Sequence, residues 1–309
     1  MSEADLPIID AHHHFWELSE DGPPWLIRPP WVPFRYGDYA AIRRNFLLAD
    51  YRRVTAGHNV VASVTMEAEW DESRQLEETA WIAKRHAENP RFPAAHVART
   101  ILHEPGAADE IAAHAAYSFV KGIRHKPAAA PAPDRIERGA RGGMSDPLWR
   151  RGYAALARNG LHFELQAPWW HVDELLDLVA AFPETPVVIN HAFLPADRSD
   201  EAMAGWRRAI RRAATAPQVA MKISGFGIAG VGWPLARQRP IIEQLIETFG
   251  ADRCMFASNF PVDGLTGSFD EIFSGYKAAT ASLPVADRLR LFHDNAVRLY
   301  RLDIAPLTA

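Results

Sequence analysis

The segment Ile9–Trp16 places two histidines, His12 and His14, two positions apart at the end of an apolar run. Side chains alternate between the two faces of a β-strand, so His12 and His14 are predicted to share one face and His13 to lie on the other. Neutral imidazoles at this spacing can bind one divalent ion that activates water, or act directly on a bound carbonyl group. An isolated His-x-His is more often a hydrogen-bonded structural pair, so its position in the fold must decide between the interpretations.

Other polar residues end further short apolar runs or follow them closely. Arg124 can hold a substrate carboxylate in a bidentate fork, although an ion pair with a neighbouring acid is the competing interpretation. His191 is the third candidate catalytic histidine. The remaining candidates for substrate binding are Gln166, Trp169, Ser224 and Asn259.

Short β-rich runs recur along the chain, and longer segments with helical apolar spacing lie between them. This alternation predicts parallel strands joined by right-handed crossovers, and eight such units close a barrel. An open doubly wound sheet is the alternative, but it usually has a glycine-rich loop after its first strand, and here the first glycine after that run is Gly22. The predicted strands are Pro7–His12, Val60–Glu67, Phe92–Ala98, Phe119–Arg124, Leu161–Gln166, Val187–His191, Val219–Ser224 and Cys254–Asn259.

We therefore predict an α/β protein, a (β/α)8 TIM-type barrel with extended βα loops, formed by one domain over residues 1–309. Active sites of such barrels lie at the C-terminal ends of the strands, and this position favours a functional interpretation of His12 and His14. Aromatic residues and prolines alternate in the loop Phe15–Tyr36 and recur at Pro168–Trp170. These loops can wall off an apolar pocket or simply pack onto the barrel, and both interpretations stay open.

Composition narrows the partners and the compartment. The 48% hydrophobic and 23% charged content is ordinary for a globular chain, and the net charge of −4 with scattered basic residues argues against nucleic-acid binding. The single cysteine, Cys254, excludes an internal disulfide, and no long apolar run or secretory signal is visible. We expect a cytoplasmic protein with a small-molecule substrate and no membrane partner. The sequence leaves open whether it forms a homo-oligomer.

Five segments resemble, in order along the chain, those of the amidohydrolase superfamily. The closer likeness is to its amidohydrolase-related branch, which includes 2-pyrone-4,6-dicarboxylate lactonase and the sugar-acid lactonases. The segments are Ile9–Trp16, Val120–His125, Val188–His191, Met221–Gly225 and Met255–Asp263. The resemblance implies a hydrolytic barrel in which His12 and His14 bind a metal or polarise a carbonyl. It also implies that His191 assists and that Arg124 holds an anionic group.

The chain departs from the family pattern at two positions. The family usually has an aspartate on strand eight as general base, and this chain has Asn259, whose amide cannot usefully accept a proton near pH 7. Strand five ends in Gln166, where metal-dependent relatives commonly have a histidine. These departures favour a site with no metal or a weakly bound one. Glu69, Glu164 or Asp263 would then supply the base.

The sequence thus predicts a hydrolase acting on a lactone or a related activated carbonyl compound that carries a carboxylate. Histidines would stabilise the developing oxyanion, either with no cofactor or with one zinc or manganese ion at His12 and His14. Two alternatives stay open: a metal-dependent decarboxylase or amide hydrolase of the same superfamily, and a non-catalytic ligand-binding barrel.

Overall fold

The computed structural model describes residues 3–19 and 22–308, and its centre is one eight-stranded parallel sheet. Each strand pairs with the next in chain order. The backbone N–H of His14 donates to the carbonyl of Phe260 at 2.7 Å, so the segments that follow the first and last strands meet and nearly close the barrel. The strands are β1 (Ile8–His13), β2 (Val60–Met66), β3 (Ala95–Arg99), β4 (Val120–Arg124), β5 (His162–Leu165), β6 (Val187–Ile189), β7 (Val219–Ile223) and β8 (Cys254–Phe256).

The predicted (β/α)8 barrel is confirmed, and no predicted strand end differs from the observed one by more than three residues. No helix within the described ranges is long and apolar enough to cross a membrane. The helices are α1 (Pro24–Ile27), α2 (Leu48–Thr55), α3 (Gln75–Glu88), α4 (Ala107–Ala115), α5 (Pro147–Tyr153), α6 (Ala155–Arg158), α7 (Val172–Ala181), α8 (Asp200–Ala214), α9 (Leu235–Phe249), α10 (Phe269–Ala279), α11 (Val285–Leu289) and α12 (Asn295–Tyr300).

Local sequence explains where several helices begin. Ser268 accepts the backbone N–H of Glu271 at 3.1 Å, and the Glu271 carboxylate accepts that of Ser268 at 2.7 Å. This capping box satisfies donors that the first turn of α10 would otherwise leave unpaired. Asp146 caps α5 with a single hydrogen bond, which it accepts from the N–H of Leu148 at 2.8 Å, and Pro147 follows at the first helical position.

The apolar core has two layers, as the alternation of strand side chains requires. Ile8 belongs to the layer between the strands and the helices, which also contains Trp149 and Trp206. The next residue, Ile9, belongs to a smaller cluster of inward-facing strand residues that also takes in Tyr300 of α12. The barrel interior is therefore filled by side chains and is not a pore.

One charged pair lies inside this interior. The Lys222 Nζ atom on β7 is 2.9 Å from the Glu164 carboxylate on β5, and both side chains are fully buried. Glu164 also accepts hydrogen bonds from Tyr300 Oη at 2.7 Å and from Asn190 Nδ2. Burial alone would raise the pKa of Glu164, but the charge of Lys222 lowers it to about 2. The two charges compensate each other where neither could remain alone.

A register shift in β1 decides which of its polar residues face the barrel. The shift falls between Asp10 and His13. Asp10 accepts hydrogen bonds from Tyr51 Oη at 2.9 Å and Ser258 Oγ at 2.6 Å. His13 is bonded to Ser63 Oγ at 2.8 Å and stacks on Tyr51, so it lies on the opposite face from His12, as predicted.

Candidate active site

A cavity of about 340 Å³, here called the main cavity, opens at the C-terminal ends of the strands. Its volume suits a small molecule, and its position is that of active sites in (β/α)8 barrels. Strand ends contribute His14, Glu67, Arg124, Gln166, His191 and Asn259 to its lining. Loops contribute Trp16, Trp25, Phe34, Arg35, Glu69 and Lys126.

The loop after β1 forms one wall of the main cavity. This is one of the two interpretations that the sequence left open for the aromatic residues of the loop. The rings of Trp25 and Phe34 stack with their centroids 5.7 Å apart and their planes at 11°. Trp25 Nε1 donates to the carbonyl of Ala68 at 2.9 Å and so fixes this wall to the end of β2. Trp31, by contrast, is exposed and lies beneath the guanidinium of Arg43.

The three candidate catalytic histidines come together at the barrel mouth. The ring centroid of His12 is 5.2 Å from that of His14 and 4.6 Å from that of His191. His14 and His191 line the main cavity, whereas His12 is fully buried beside them. Both ring nitrogens of His12 are buried without a hydrogen-bond partner among the described residues. Gly225 is required here because a Cβ atom would lie 2.4 Å from His191 Nδ1.

All three imidazoles are held neutral. Burial, reinforced by the charge of Arg124, lowers the pKa of His14 to about 3. Burial also lowers the pKa of His12 well below its usual value, with the charge of Lys222 next in size. The pKa of His191 is likewise lowered well below its usual value by burial and then by the nearby positive charges. Protonated imidazoles are therefore not part of the site at neutral pH.

Hydrogen bonding sets the tautomer of His14. Its Nδ1 atom is 3.0 Å from the carbonyl oxygen of Glu67, which can only accept. Nδ1 therefore carries the proton, and Nε2 offers a lone pair. For His191 the partner of Nδ1 is Ser224 Oγ at 3.0 Å, a hydroxyl that can donate or accept, so either tautomer fits.

Arg124 forms the ion pair with a neighbouring acid that the sequence left as an alternative. Its Nε atom donates to Glu67 Oε1 at 2.5 Å, and Nη2 donates to the Glu67 carbonyl at 2.9 Å. Burial alone would raise the pKa of Glu67, but the charge of Arg124 lowers it to about 2. Arg124 Nη1 donates to Gln166 Oε1 at 3.3 Å. The amide NH2 of Gln166 is therefore free to donate, and one N–H on each Nη atom of Arg124 stays uncommitted.

Asn259 is also oriented by its neighbour. Its Nδ2 atom donates to Asp263 Oδ1 at 2.7 Å, which leaves Asn259 Oδ1 as an acceptor. Asp263 accepts in addition from Tyr36 Oη and from the backbone N–H of Gly225, each at 3.0 Å. Asn259 has a backbone φ of 54°, a left-handed conformation that asparagine adopts more readily than most residues.

The geometry separates the three carboxylates that could replace the missing aspartate. Glu164 is sealed inside the barrel by Lys222, and Asp263 lies outside the lining of the main cavity with both oxygens occupied. Glu69 lines the cavity, pairs through Oε1 with Lys126 and keeps its other oxygen without a partner among the described residues. Its φ of 57° is strained for a non-glycine residue, a feature that often accompanies functional sites.

Two predicted substrate-binding residues are not brought to the described cavity. Trp169 packs against α8, where a Cβ atom on Gly205 would meet its Cη2 atom at 2.3 Å. Ser224 lies behind His191 and contacts its ring. Sequence reasoning also missed Arg35 and Lys126, which line the cavity from loops. A loop sequence does not show which side chains face inward. The aromatic residues next to Arg35 were therefore the one signal in the sequence that indicated its position.

The residues at the barrel mouth do not fit a resident metal ion. The unpartnered nitrogens of His12 are the one feature that suits an ion or a water molecule. However, no group of three or more His, Cys, Asp or Glu side chains in residues 3–19 and 22–308 is arranged to hold a metal. The strand-eight position offers the amide of Asn259 in place of a carboxylate ligand.

The eight-stranded barrel has histidines, an arginine and a cavity at its strand ends, the position at which (β/α)8-barrel proteins have their active sites. The chain belongs to the amidohydrolase family Amidohydro_2, whose model matches residues 9–302, so the predicted family is confirmed.

Relatives of this chain include lactonases. It is 35% identical over 308 residues to the uncharacterized protein y4mH of Sinorhizobium fredii, covering 97% of this chain and 100% of that protein. It is 26% identical over 306 residues to an L-fucono-1,5-lactonase of Burkholderia multivorans, covering 95% and 96%. The structure of an amidohydrolase from Burkholderia multivorans with bound zinc superposes with a TM-score of 0.77 at 26% identity, covering 96% and 99%.

Proposed function

We propose that the protein is a hydrolase that opens a small lactone carrying a carboxylate, and that it does so without a resident metal ion. The observation that carries this proposal is the fixed orientation of the polar groups around the main cavity. His14 Nε2 and Asn259 Oδ1 are acceptors, whereas the Gln166 amide is a donor. Such a site can hold a water molecule and a carbonyl oxygen at different places. The lactonases among the relatives support the same reaction class.

In this reaction one acceptor, His14 Nε2 or Asn259 Oδ1, takes a hydrogen bond from the attacking water, and Glu69 takes the other hydrogen as a proton. The water oxygen bonds to the lactone carbonyl carbon, and the carbonyl oxygen becomes an oxyanion. The bond from that carbon to the ring oxygen then breaks, and the ring oxygen receives the proton from Glu69. The product is the open hydroxy acid, so one water is consumed per lactone.

Gln166 and Arg124 supply the oxyanion with donors. Both side chains line the main cavity. Their hydrogen bonds to each other and to Glu67 use only some of their N–H groups, so both keep N–H groups that are uncommitted. Donors that are held in place before the reaction stabilise developing negative charge without reorganisation. Lactones need less activation than amides, so this site suits them although it lacks the strand-eight aspartate.

The test is a panel of γ- and δ-lactones, their lactam counterparts, and 2,6-dihydroxybenzoate as the compound for decarboxylation. Acid release is followed with a pH indicator, and decarboxylation is followed by absorbance. We expect turnover of lactones only, and a loss of kcat of about 100-fold or more in Glu69→Gln, the usual effect of removing a general base. Glu72→Gln is the matched control, because Glu72 is a nearby glutamate outside the lining of the main cavity. Turnover of lactams or of the hydroxybenzoate would favour the alternative enzyme classes. Binding of lactones without product would favour a non-catalytic barrel.

A further inference from the structure

Three cationic side chains line the main cavity, and two of them are already committed. Arg124 is ion-paired with Glu67 at 2.5 Å, and Lys126 is ion-paired with Glu69. Each pair places one positive and one negative charge on the cavity wall. Neither pair leaves a net positive charge for a substrate anion.

The third cation, Arg35, is different. Its one acidic neighbour in the described parts of the chain is Asp263, with Nη2 to Oδ1 at 3.6 Å, too long for a good hydrogen bond. The carboxylate of Asp263 already accepts from Asn259, Tyr36 and the backbone of Gly225. Asp263 therefore offsets part of the charge of Arg35, but no described residue accepts a hydrogen bond from the Arg35 N–H groups, and 28% of its side chain is exposed.

The position of Arg35 also suits a substrate. Its guanidinium lies over the ring of Tyr36, 4.7 Å from the centroid, which restricts its orientation. After burial, the charge of Arg35 is the largest cause that lowers the pKa of His191, so this charge acts on the histidine side of the cavity. Phe34 precedes it in the same loop and stacks on Trp25, so an apolar wall lies next to the free guanidinium.

We propose that Arg35 binds the carboxylate of the substrate, and that it makes the protein selective for anionic lactones whose ring packs against Trp25 and Phe34. The inference rests on the proposed lactone hydrolysis and changes the role expected of Arg124. Arg124 keeps a place beside the reacting carbonyl, whereas the anion lies at the loop. A planar guanidinium with free N–H groups is the side chain that best matches a carboxylate.

The experiment compares γ-butyrolactone-γ-carboxylate with its carboxamide as substrates, and the matching lactams, pyroglutamate and pyroglutamide, as ligands in calorimetry. The proteins are wild type, Arg35→Gln, Arg35→Lys and the control Arg28→Gln, an exposed arginine in the same loop outside the main cavity. We expect Arg35→Gln to raise KM for the carboxylate by about 10- to 100-fold with little change in kcat, the effect of losing a charge-assisted bidentate contact. The KM for the carboxamide should rise much less than that for the carboxylate, and Arg35→Lys should retain part of the selectivity.

The outcomes separate this inference from the proposed function. Hydrolysis of both lactones without preference for the carboxylate, or a preference that survives in Arg35→Gln, overturns the role of Arg35 and leaves lactone hydrolysis intact. If no lactone is hydrolysed, the proposed function fails, and calorimetry still decides about Arg35. Tighter binding of pyroglutamate than of pyroglutamide by wild type, lost in Arg35→Gln and kept in Arg28→Gln, supports the anion site. Equal binding of the two lactams, or none, refutes it.

Discussion

The side-chain amide of Asn259 donates to Asp263 Oδ1 at 2.7 Å. The carboxylate that the family usually has on strand eight is thus absent from the cavity, and a carboxylate four residues later lies behind the amide. Asp263 orients Asn259 and also anchors Tyr36 of the cavity loop through a 3.0 Å hydrogen bond. One buried acid therefore positions both a polar group of the site and the loop that covers it.

This pair predicts that Asn259→Asp destabilises the protein. Two carboxylates at this separation cannot both ionise, so one keeps its proton in the folded state and its pKa rises above the unfolded value. The folded protein then binds more protons than the unfolded chain, and its extra loss of stability should grow as pH rises from 5 to 8. Melting temperature against pH measures this. The reciprocal variant Asn259→Asp/Asp263→Asn restores a single carboxylate and should recover most of the loss. An Asn259→Asp variant as stable as wild type at pH 8 would contradict the geometry.

The neutral histidines predict the shape of the pH–activity profile. Burial lowers the pKa of His14 to about 3, and the pKa values of His12 and His191 also lie well below their usual value. The charges of Arg35, Arg124 and Lys222 act in the same direction. We expect no inflection near the ordinary histidine pKa in kcat/KM for lactone hydrolysis. An acidic limb near pH 6.5 that disappears in His191→Gln would show that this imidazole titrates in the free enzyme.

The buried pair in the barrel interior predicts a large effect of Lys222→Met. The variant leaves Glu164 as an uncompensated buried charge and should lose about 3–5 kcal/mol of unfolding free energy. Denaturant unfolding measures the loss. Lys222→Met/Glu164→Gln removes both charges and should be more stable than the single variant, which keeps the test valid if Lys222→Met does not fold. Equal stability of Lys222→Met and wild type would mean that the pair does not compensate.

The buried carboxyl group of Asp10, on the outer face of β1, predicts that the unfolding free energy of the wild-type protein depends on pH. Burial raises the pKa of Asp10 from 3.8 to about 6, although its hydrogen bonds with Ser258 and Tyr51 act in the opposite direction. Protonated Asp10 contributes its full stability below the pKa that it has in the unfolded state. This contribution is lost as pH rises through the pKa that it has in the folded state. The shift corresponds to about 3 kcal/mol. Unfolding free energy measured from pH 4 to 7 should fall in wild type relative to Asp10→Asn. The exposed Asp109→Asn serves as control, and parallel curves for wild type and Asp10→Asn would contradict the assignment.

Much of the fold could be predicted from the sequence, because the spacing of apolar residues that marks a strand or a helix is a local pattern, and it repeats in each of the eight units. The C-terminal ends of the strands were predicted less accurately. The predicted strand Cys254–Asn259 ends at Phe256 in the structure, and Val187–His191 ends at Ile189. Asn259 and His191 both have positive φ values, so the chain turns out of the sheet at the residues that form the site.

The predicted residues that line the cavity lie at a strand end or within three residues of one, whereas Arg35, far from any strand end, was missed. His12 and His14 share a face because strand geometry demands it. The engagement of Arg124 by Glu67 and the free guanidinium of Arg35 depend on contacts between distant segments. Trp169 has the residue type of a pocket wall but packs on α8, and no sequence pattern distinguishes the two roles.

In the proposed reaction the imidazoles and Glu69 hydrolyse a lactone without a resident metal. The most direct measurement is kcat/KM for γ-butyrolactone-γ-carboxylate with wild-type protein, before and after chelator treatment, with metal content determined on the same samples by mass spectrometry. We expect activity that is unchanged in metal-free protein and is not increased by zinc or manganese. Activity that disappears with the metal and returns with equimolar zinc, but not in His12→Ala/His14→Ala, would show that a metal ion held by these histidines carries the reaction.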